Sequence, residues 1–378
     1  MQASCERVDE VSPADALAQH KQGALLLDVR EECERATGMP AGAIGLAAGC
    51  LGARMEQIEP DRLRPILTLC GSGKRSRLAV ETLRLCGYRY VRSVAGGIRR
   101  WKAEGLPLSY GALDVDAAER YARQLCLPQV GEAGQLALAA ARVALIGAGG
   151  LGAPAALYLA AAGVGQISVI DDDRVERSNL QRQVIHTEAR VGMAKTASAC
   201  LTLGALNPRV RVYDCHERLQ ANNVDRLLAN HDLVIDGSDN FSTRYLLVAA
   251  SLRLRLPWVY GAVERFSGQV SVFDPRCEDS PCYRCLFAEP PPAAEAPNCT
   301  QAGVLGVVPG IVGLLQATEA IKLLLGLGDC LVGRLLSFDA LSMHFRQTRL
   351  LRDDACPGCG SGAPSRDVIE VAHNKIAF

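Results

Sequence analysis

Residues 143–170 are 28 consecutive uncharged positions, and the glycines in the middle of that run limit what it can fold into. A membrane span of this length would be one unbroken apolar helix. Here Arg142–Gly147 (R-V-A-L-I-G) is a short β-branched and aliphatic run, as expected of a buried parallel strand. It enters G-A-G-G-L-G at Gly147–Gly152, and an apolar stretch from Leu151 to Ala162 follows with the character of a helix. Gln166–Ile170 then reads as a second strand. The pattern predicts strand, turn, helix, strand in an α/β fold. Gly147, Gly149, Gly150 and Gly152 let the backbone turn tightly and approach a ligand, and the following helix offers free N–H groups to an anion.

What that anion is depends on the residues downstream. Asp171 ends the second strand about 20 residues beyond the turn, where a carboxylate can accept from ribose hydroxyls. To this point a dinucleotide such as NAD fits equally well. Arg182 and Lys195 favour a triphosphate, Arg through bidentate contacts and Lys as a point charge. Asn179 can hold a phosphate or ribose oxygen without adding charge. A third run, Leu233–Asp236, leads into G-S-D-N at Gly237–Asn240. Asp239 is then predicted at the carboxyl end of a strand, where it can bind Mg²⁺ beside phosphate oxygens. An N-cap for a helix over Phe241–Ser251 is a compatible role for the Asp239-Asn240 pair.

Residues 117–360 resemble the MoeB/ThiF branch of the ubiquitin-activating enzyme superfamily. The likeness rests on R-Y-A-R-Q at Arg120–Gln124, the glycine turn, Asp171, S-N-L-Q-R-Q at Ser178–Gln183, G-M-A-K ending at Lys195, D-G-S-D-N, C-Y-R-C and C-P-G-C. It implies a Rossmann-like ATP-binding domain that adenylates the C-terminal glycine of a ubiquitin-like sulfur carrier protein ending in Gly-Gly. By that likeness Asp171 meets the ribose, Asn179, Arg182 and Lys195 the phosphates, and Asp239 the Mg²⁺ and the reacting centre. Arg123 matches an arginine that reaches into the partner subunit's site, which implies a homodimer. Such a reaction needs positioning and charge neutralisation more than a strong base. Three readings stay in view beside it: a peptide C-terminus adenylating enzyme; an NAD-dependent oxidoreductase, which leaves Arg182 and Lys195 unexplained; and a non-catalytic carrier-binding scaffold, which the full set of ATP residues disfavours.

The chain holds 15 cysteines. Cys282 with Cys285, and Cys356 with Cys359, are two knuckles of the kind that together make a tetrahedral Cys₄ zinc site. About 70 residues separate them, too many for an independent zinc finger, so the fold must bring them together. Four thiolates would close the site and make the Zn²⁺ structural. Cys299 follows an acidic, alanine- and proline-rich stretch, 288–298, read as a mobile loop. The family resemblance implies that a cysteine there can take the carrier as a thioester or sulfur as a mixed disulfide.

The first third has a different character. Leu25–Arg30 and Ile66–Leu69 are short buried strands, and the second runs into C-G-S-G-K-R at Cys70–Arg75. A helical stretch continues through Leu85, followed by Y-V-R-S-V and G-G-I-R-R-W at Gly96–Trp101. Residues 8–110 resemble a single rhodanese domain. The resemblance implies a Cys70 persulfide inside a loop closed by Arg75, five positions on, and hence sulfur transfer from thiosulfate or a cysteine desulfurase. From Arg62 to Lys102 the chain carries eleven Lys or Arg against one acid, Glu81, a setting that favours a thiolate. The two halves explain each other: one carries sulfur and the other activates a carboxylate for it. The product implied is a thiocarboxylate for molybdopterin first, or for thiamine or tRNA thiolation.

Residues 111–116 read as the linker and 361–378 as a tail. Lys and Arg total 41, as do Asp and Glu, giving zero net charge, and aromatic residues are 5% of the chain. That balance argues against nucleic acid and for an acidic protein as the partner of the basic run. The N-terminus lacks an apolar signal region, and zinc-type and reactive cysteines suit a reducing cytoplasm. No membrane attachment is expected.

Overall fold

The computed structural model describes residues 9–290 and 303–361. They form two compact units that divide between Leu136 and Ala137.

The first unit is built on five parallel strands. In spatial order these are Glu10–Val11, Val91–Val94, Ile66–Leu69, Leu25–Asp28 and Ile44–Gly45. The central strands are buried on both faces, which explains their unbroken aliphatic character. Leu25, Leu27 and Ile66 point into one cluster with Met55, Val80 and Leu83, while Leu26, Leu67 and Leu69 point into another around Trp101. Two short helices, Val115–Arg120 and Ala122–Leu125, belong to this unit. Ala117, Tyr121 and Leu125 pack there against Leu113 and Ala36. Tyr121, outside helical geometry, separates these two helices.

The second unit carries an eight-stranded sheet. Its spatial order is Arg211–Cys215, Gln166–Ile170, Arg142–Ile146, Leu233–Asp236, Trp258–Glu264, Ser267–Phe273, Arg334–Asp339 and His344–Arg349. The first five are parallel and the last three antiparallel. The chain enters at Arg142–Ile146, winds outward through the next two strands, then crosses to the other side at Leu233–Asp236. That reversal leaves a crevice at the carboxyl ends of these two neighbouring strands, the usual ligand position in such sheets.

The glycine turn and the Gly237–Asn240 loop both leave the sheet at this crevice. They touch backbone to backbone. A Cβ on Gly147 would lie 2.9 Å from the Gly237 carbonyl oxygen, and one on Gly237 would lie 2.8 Å from that of Ile146. Side chains at either place would force the loops apart.

Among the described residues one helix, Val307–Leu325, is long and apolar enough to span a bilayer. Here it is a packing helix of the second unit. Val308, Val312, Ala317 and Ala320 are buried, and Gln316 Nε2 donates to the carbonyls of Asp236 (2.7 Å) and Val259 (3.1 Å).

Candidate active sites and metal centre

At the crevice of the second unit lies a cleft of about 340 Å³. Gly150, Arg182 and Asp239 line it, together with Gln183, Arg244 and Tyr260. Arg182 is half-buried and Nη1 donates to the Ser178 carbonyl (3.2 Å). Asp239 is exposed at the mouth. Its neighbour Asn240 accepts from the Thr243 N–H at 2.9 Å and caps the helix Phe241–Leu254, so the N-cap reading of this pair holds.

Asp171, Asn179 and Lys195 lie outside the cleft lining but against its glycine turn and the segments around it. Asp171 accepts from the N–H of Ala148, inside the turn, and from that of Asp173, both at 2.8 Å. Burial pushes its carboxyl above the usual range, and Lys195 and the two N–H groups only partly offset this. Lys195, nearly buried at the start of the helix Lys195–Leu206, is paired with Asp173 at 2.7 Å. Asn179 is buried in a short 3-10 turn, Arg177–Asn179. The cations expected to meet phosphate are thus one half-open Arg and one Lys already held by an acid.

His186 also contacts the glycine turn. Its Nε2 lies 3.0 Å from the Ala148 carbonyl oxygen and its Nδ1 2.9 Å from the Ser198 hydroxyl. A carbonyl can only accept, so Nε2 carries the proton and the ring props the glycine turn from below. Burial pushes its pKa down to about 4 against the opposing Ala148 contact, and Lys195 and Arg190 push the same way. A lone His between polar segments gives no sequence signal for that role.

In the first unit Cys70 closes the strand Ile66–Leu69 and is buried. Its Sγ accepts from the Gly73 N–H at 3.2 Å, just ahead of the helix Lys74–Leu85. Burial alone would push this thiol up. The Ser76 hydroxyl and the N–H groups of Ser76, Ser72 and Gly73 outweigh it and hold the thiol below its usual range. Gly97, at φ +58°, approaches so closely that a Cβ would meet the Cys70 carbonyl oxygen at 2.2 Å. Arg75 is gripped by Glu34 through two hydrogen bonds of 2.7 and 2.6 Å. Much of the basic run is paired as well: Arg62 with Glu56, Arg64 with Glu59, Arg77 with Glu10, Arg92 with Asp9 and Arg100 with Glu104. Its acids lie outside the run, which is why the sequence window looked one-sided.

Cys282, Cys285, Cys356 and Cys359 converge, their sulfurs all within 4.8 Å of one another. Sγ of Cys282 and Cys356 are 3.6 Å apart, and those of Cys285 and Cys359 3.4 Å. A disulfide would need about 2.05 Å. A tetrahedron of thiolates about 2.3 Å from zinc has edges of about 3.8 Å. The donor set and its spacing therefore fit Zn²⁺, which these four sulfurs would hold. Cys299 lies outside the described residues.

The ThiF family model matches residues 121–358, and the rhodanese-like domain model residues 12–104. The chain belongs to the ThiF family. It carries a rhodanese-like domain ahead of the ThiF region. It is 49% identical over 255 residues to the sulfur carrier protein adenylyltransferase of Thermus thermophilus, covering 67% of this chain and 94% of that protein. It is 49% identical over 251 residues to the SAMP-activating enzyme E1 of Haloferax volcanii, covering 66% and 92%. The adenylyltransferase and sulfurtransferase MOCS3 of Drosophila willistoni is 46% identical over 258 residues, 68% of this chain and 56% of that one. The chain is an enzyme of the adenylyltransferase type with a sulfurtransferase domain. Its fold is also that of E. coli MccB, solved with ATP, at a TM-score of 0.56 and 21% identity over 64% of this chain and 74% of that one.

Proposed function

We propose that this ThiF-family enzyme adenylates the C-terminal glycine of a ubiquitin-like sulfur carrier and converts it to a thiocarboxylate with sulfur held on Cys70. The observation that carries the reading is the joint presence, in one chain, of the crevice holding Gly150, Arg182 and Asp239 and of a depressed, N–H-cradled Cys70 thiol.

In the first step a carrier carboxylate oxygen attacks the α-phosphorus of ATP, the bond to the bridging oxygen breaks, and pyrophosphate leaves. Arg182 and Lys195 neutralise the phosphates, Asn179 orients them, and Asp171 anchors the ribose. Lys195 would exchange some of its contact with Asp173 for phosphate. Asp239 would hold Mg²⁺, which takes few protein ligands and supplies charge neutralisation there. Arg123 is exposed on the short helix Ala122–Leu125, and we assign it to the pocket of a second copy.

In the second half, the Cys70 thiolate takes the outer sulfur of thiosulfate and releases sulfite, or takes sulfur from a desulfurase persulfide. The terminal persulfide sulfur then attacks the carrier acyl carbon and AMP leaves. A second thiol, for which Cys299 is our candidate, attacks the Cys70 sulfur and frees the thiocarboxylate as a mixed disulfide remains. Molybdopterin synthesis is our first choice of pathway, ahead of thiamine or tRNA thiolation. The free thiols suit a reducing cytoplasm.

The test mixes the full chain with Mg-ATP, thiosulfate and candidate carriers ending in Gly-Gly, and weighs each carrier by intact mass spectrometry. An oxygen-to-sulfur mass change that disappears in Cys70→Ala supports the reading and names the carrier. Adenylation without that change overturns the sulfur half, and no modification of any carrier overturns both.

A further inference from the structure

The four-thiol knuckle and the cleft are joined by one turn of helix. Cys282 is the N-cap of Tyr283–Leu286, Cys285 lies within it, and Phe287, the next residue, lines the cleft. Tyr283 is completely buried at the centre of an aromatic group, its ring 5.5 Å from Tyr260, 5.8 Å from Trp258 and 5.2 Å from Phe287. Two of those neighbours, Tyr260 and Phe287, are cleft walls.

Beyond the ring lies Arg244, which is also buried. Its guanidinium stacks over Tyr260 at 5.1 Å and faces the Tyr283 hydroxyl. Nη2 donates to the carbonyls of Ser238 (3.1 Å) and Gly261 (3.2 Å). From the other side Asp236 accepts both the N–H (3.0 Å) and the hydroxyl (2.6 Å) of Ser238. Ser238 precedes Asp239, so the loop that presents Asp239 is clamped between these two charges. Arg244 Nε and Asp236 Oδ2 stand 3.4 Å apart. Those two atoms and the Tyr283 hydroxyl are each buried without completing a hydrogen bond. The contact is one of charge and dipole, and it depends on where Tyr283 is held.

We infer that Tyr283 and Arg244 are positioning residues that transmit the state of the Cys₄ knuckle to the Asp239 loop. Metal bound by Cys282 and Cys285 fixes the helical turn, the turn fixes Tyr283, and Tyr283 confines the Arg244 guanidinium that holds Ser238. The metal then serves the geometry of the cleft as well as the stability of the fold. This inference rests on the reading of the cleft as the adenylation site.

The test is hydrogen–deuterium exchange on the full chain, with zinc content and ATP–pyrophosphate exchange measured alongside. In Tyr283→Phe, zinc content stays at the wild-type level while deuterium uptake over 237–241 rises by about twofold or more. The kcat of exchange falls about tenfold with KM for ATP little changed, since a displaced reacting group costs rate more than binding. Removing the metal from the wild type raises uptake over the same residues. The inference is overturned if Tyr283→Phe loses zinc, or if its uptake over 237–241 stays at the wild-type level. It is equally overturned if chelation loosens only 282–286 and 350–361. A wild-type chain that adenylates no carrier removes the adenylation reading instead, and the uptake still decides the coupling.

Discussion

Glu34 holds the guanidinium of Arg75 by two charge-assisted hydrogen bonds, at 2.6 and 2.7 Å, and so fixes the residue that closes the Cys70 loop. The pairing draws Glu34 below the ordinary carboxylate range, through the Arg75 hydrogen bond first. Glu34→Gln keeps the shape but removes the charge. It is expected to lower thiosulfate sulfurtransferase kcat by about tenfold, with ATP–pyrophosphate exchange unchanged. Steady-state assays of both activities on one preparation check this.

The Cys70 thiol should ionise below the ordinary cysteine range. Rapid alkylation by iodoacetamide, followed on the Cys70 peptide, should reach half its limiting rate at a lower pH than for a model thiol. In Ser76→Ala the largest favourable contact is lost while the burial that opposes it remains. The midpoint should move upward, and at neutral pH the rate should fall several-fold. A midpoint that does not move removes Ser76 from the thiolate's support.

His186 makes stability depend on pH. Its folded pKa, about 4, lies below the ordinary value of 6.5, so the unfolded chain binds the proton first as pH falls. The contribution is complete above pH 6.5 and is lost progressively as pH drops from there through 4. His186→Ala should lower the melting temperature at pH 7.5, since two buried hydrogen bonds of about 1 kcal/mol each go with the ring. It should also flatten the profile within the acid window. Calorimetric scans of both proteins from pH 4 to 8 make the comparison.

Asp239 is exposed and caps nothing itself, since the cap oxygen belongs to Asn240. Asp239→Ala is therefore expected to leave thermal stability almost unaltered while exchange of pyrophosphate into ATP falls by at least about a hundredfold. Arg182→Ala should behave similarly. Full exchange activity in either variant, on protein with normal circular dichroism, would remove that residue from the site.

The motifs were legible because each is set by neighbours in the chain. A glycine turn between a strand and a helix, a Cys loop closed five residues on by Arg75, and a pair of C-x-x-C knuckles carry their geometry in their spacing. The alternation of Leu25, Leu26 and Leu27 between two cores likewise follows from the period of a strand. Other features depend on residues far apart in sequence. Glu34 and Arg75 follow two neighbouring parallel strands and meet 41 positions apart in sequence, and the acids that answer the basic run include Asp9, Glu10, Glu56 and Glu59. His186 meets Ala148 across 38 positions.

Chain-local patterns were enough to place the two α/β modules, the glycine turn, the Cys70 loop and the four thiols. Each is a local pattern of backbone freedom or ligand chemistry. The folded chain adds that Lys195 rests on Asp173, how the knuckles expected to pair come within reach of each other, and that Tyr283 and Arg244 stand between them and Asp239. The physical reason is that sheet order, not chain order, chooses the neighbours. Crossing from Arg142–Ile146 to Leu233–Asp236 opens the crevice, and the antiparallel strands beyond carry the second knuckle back to the first.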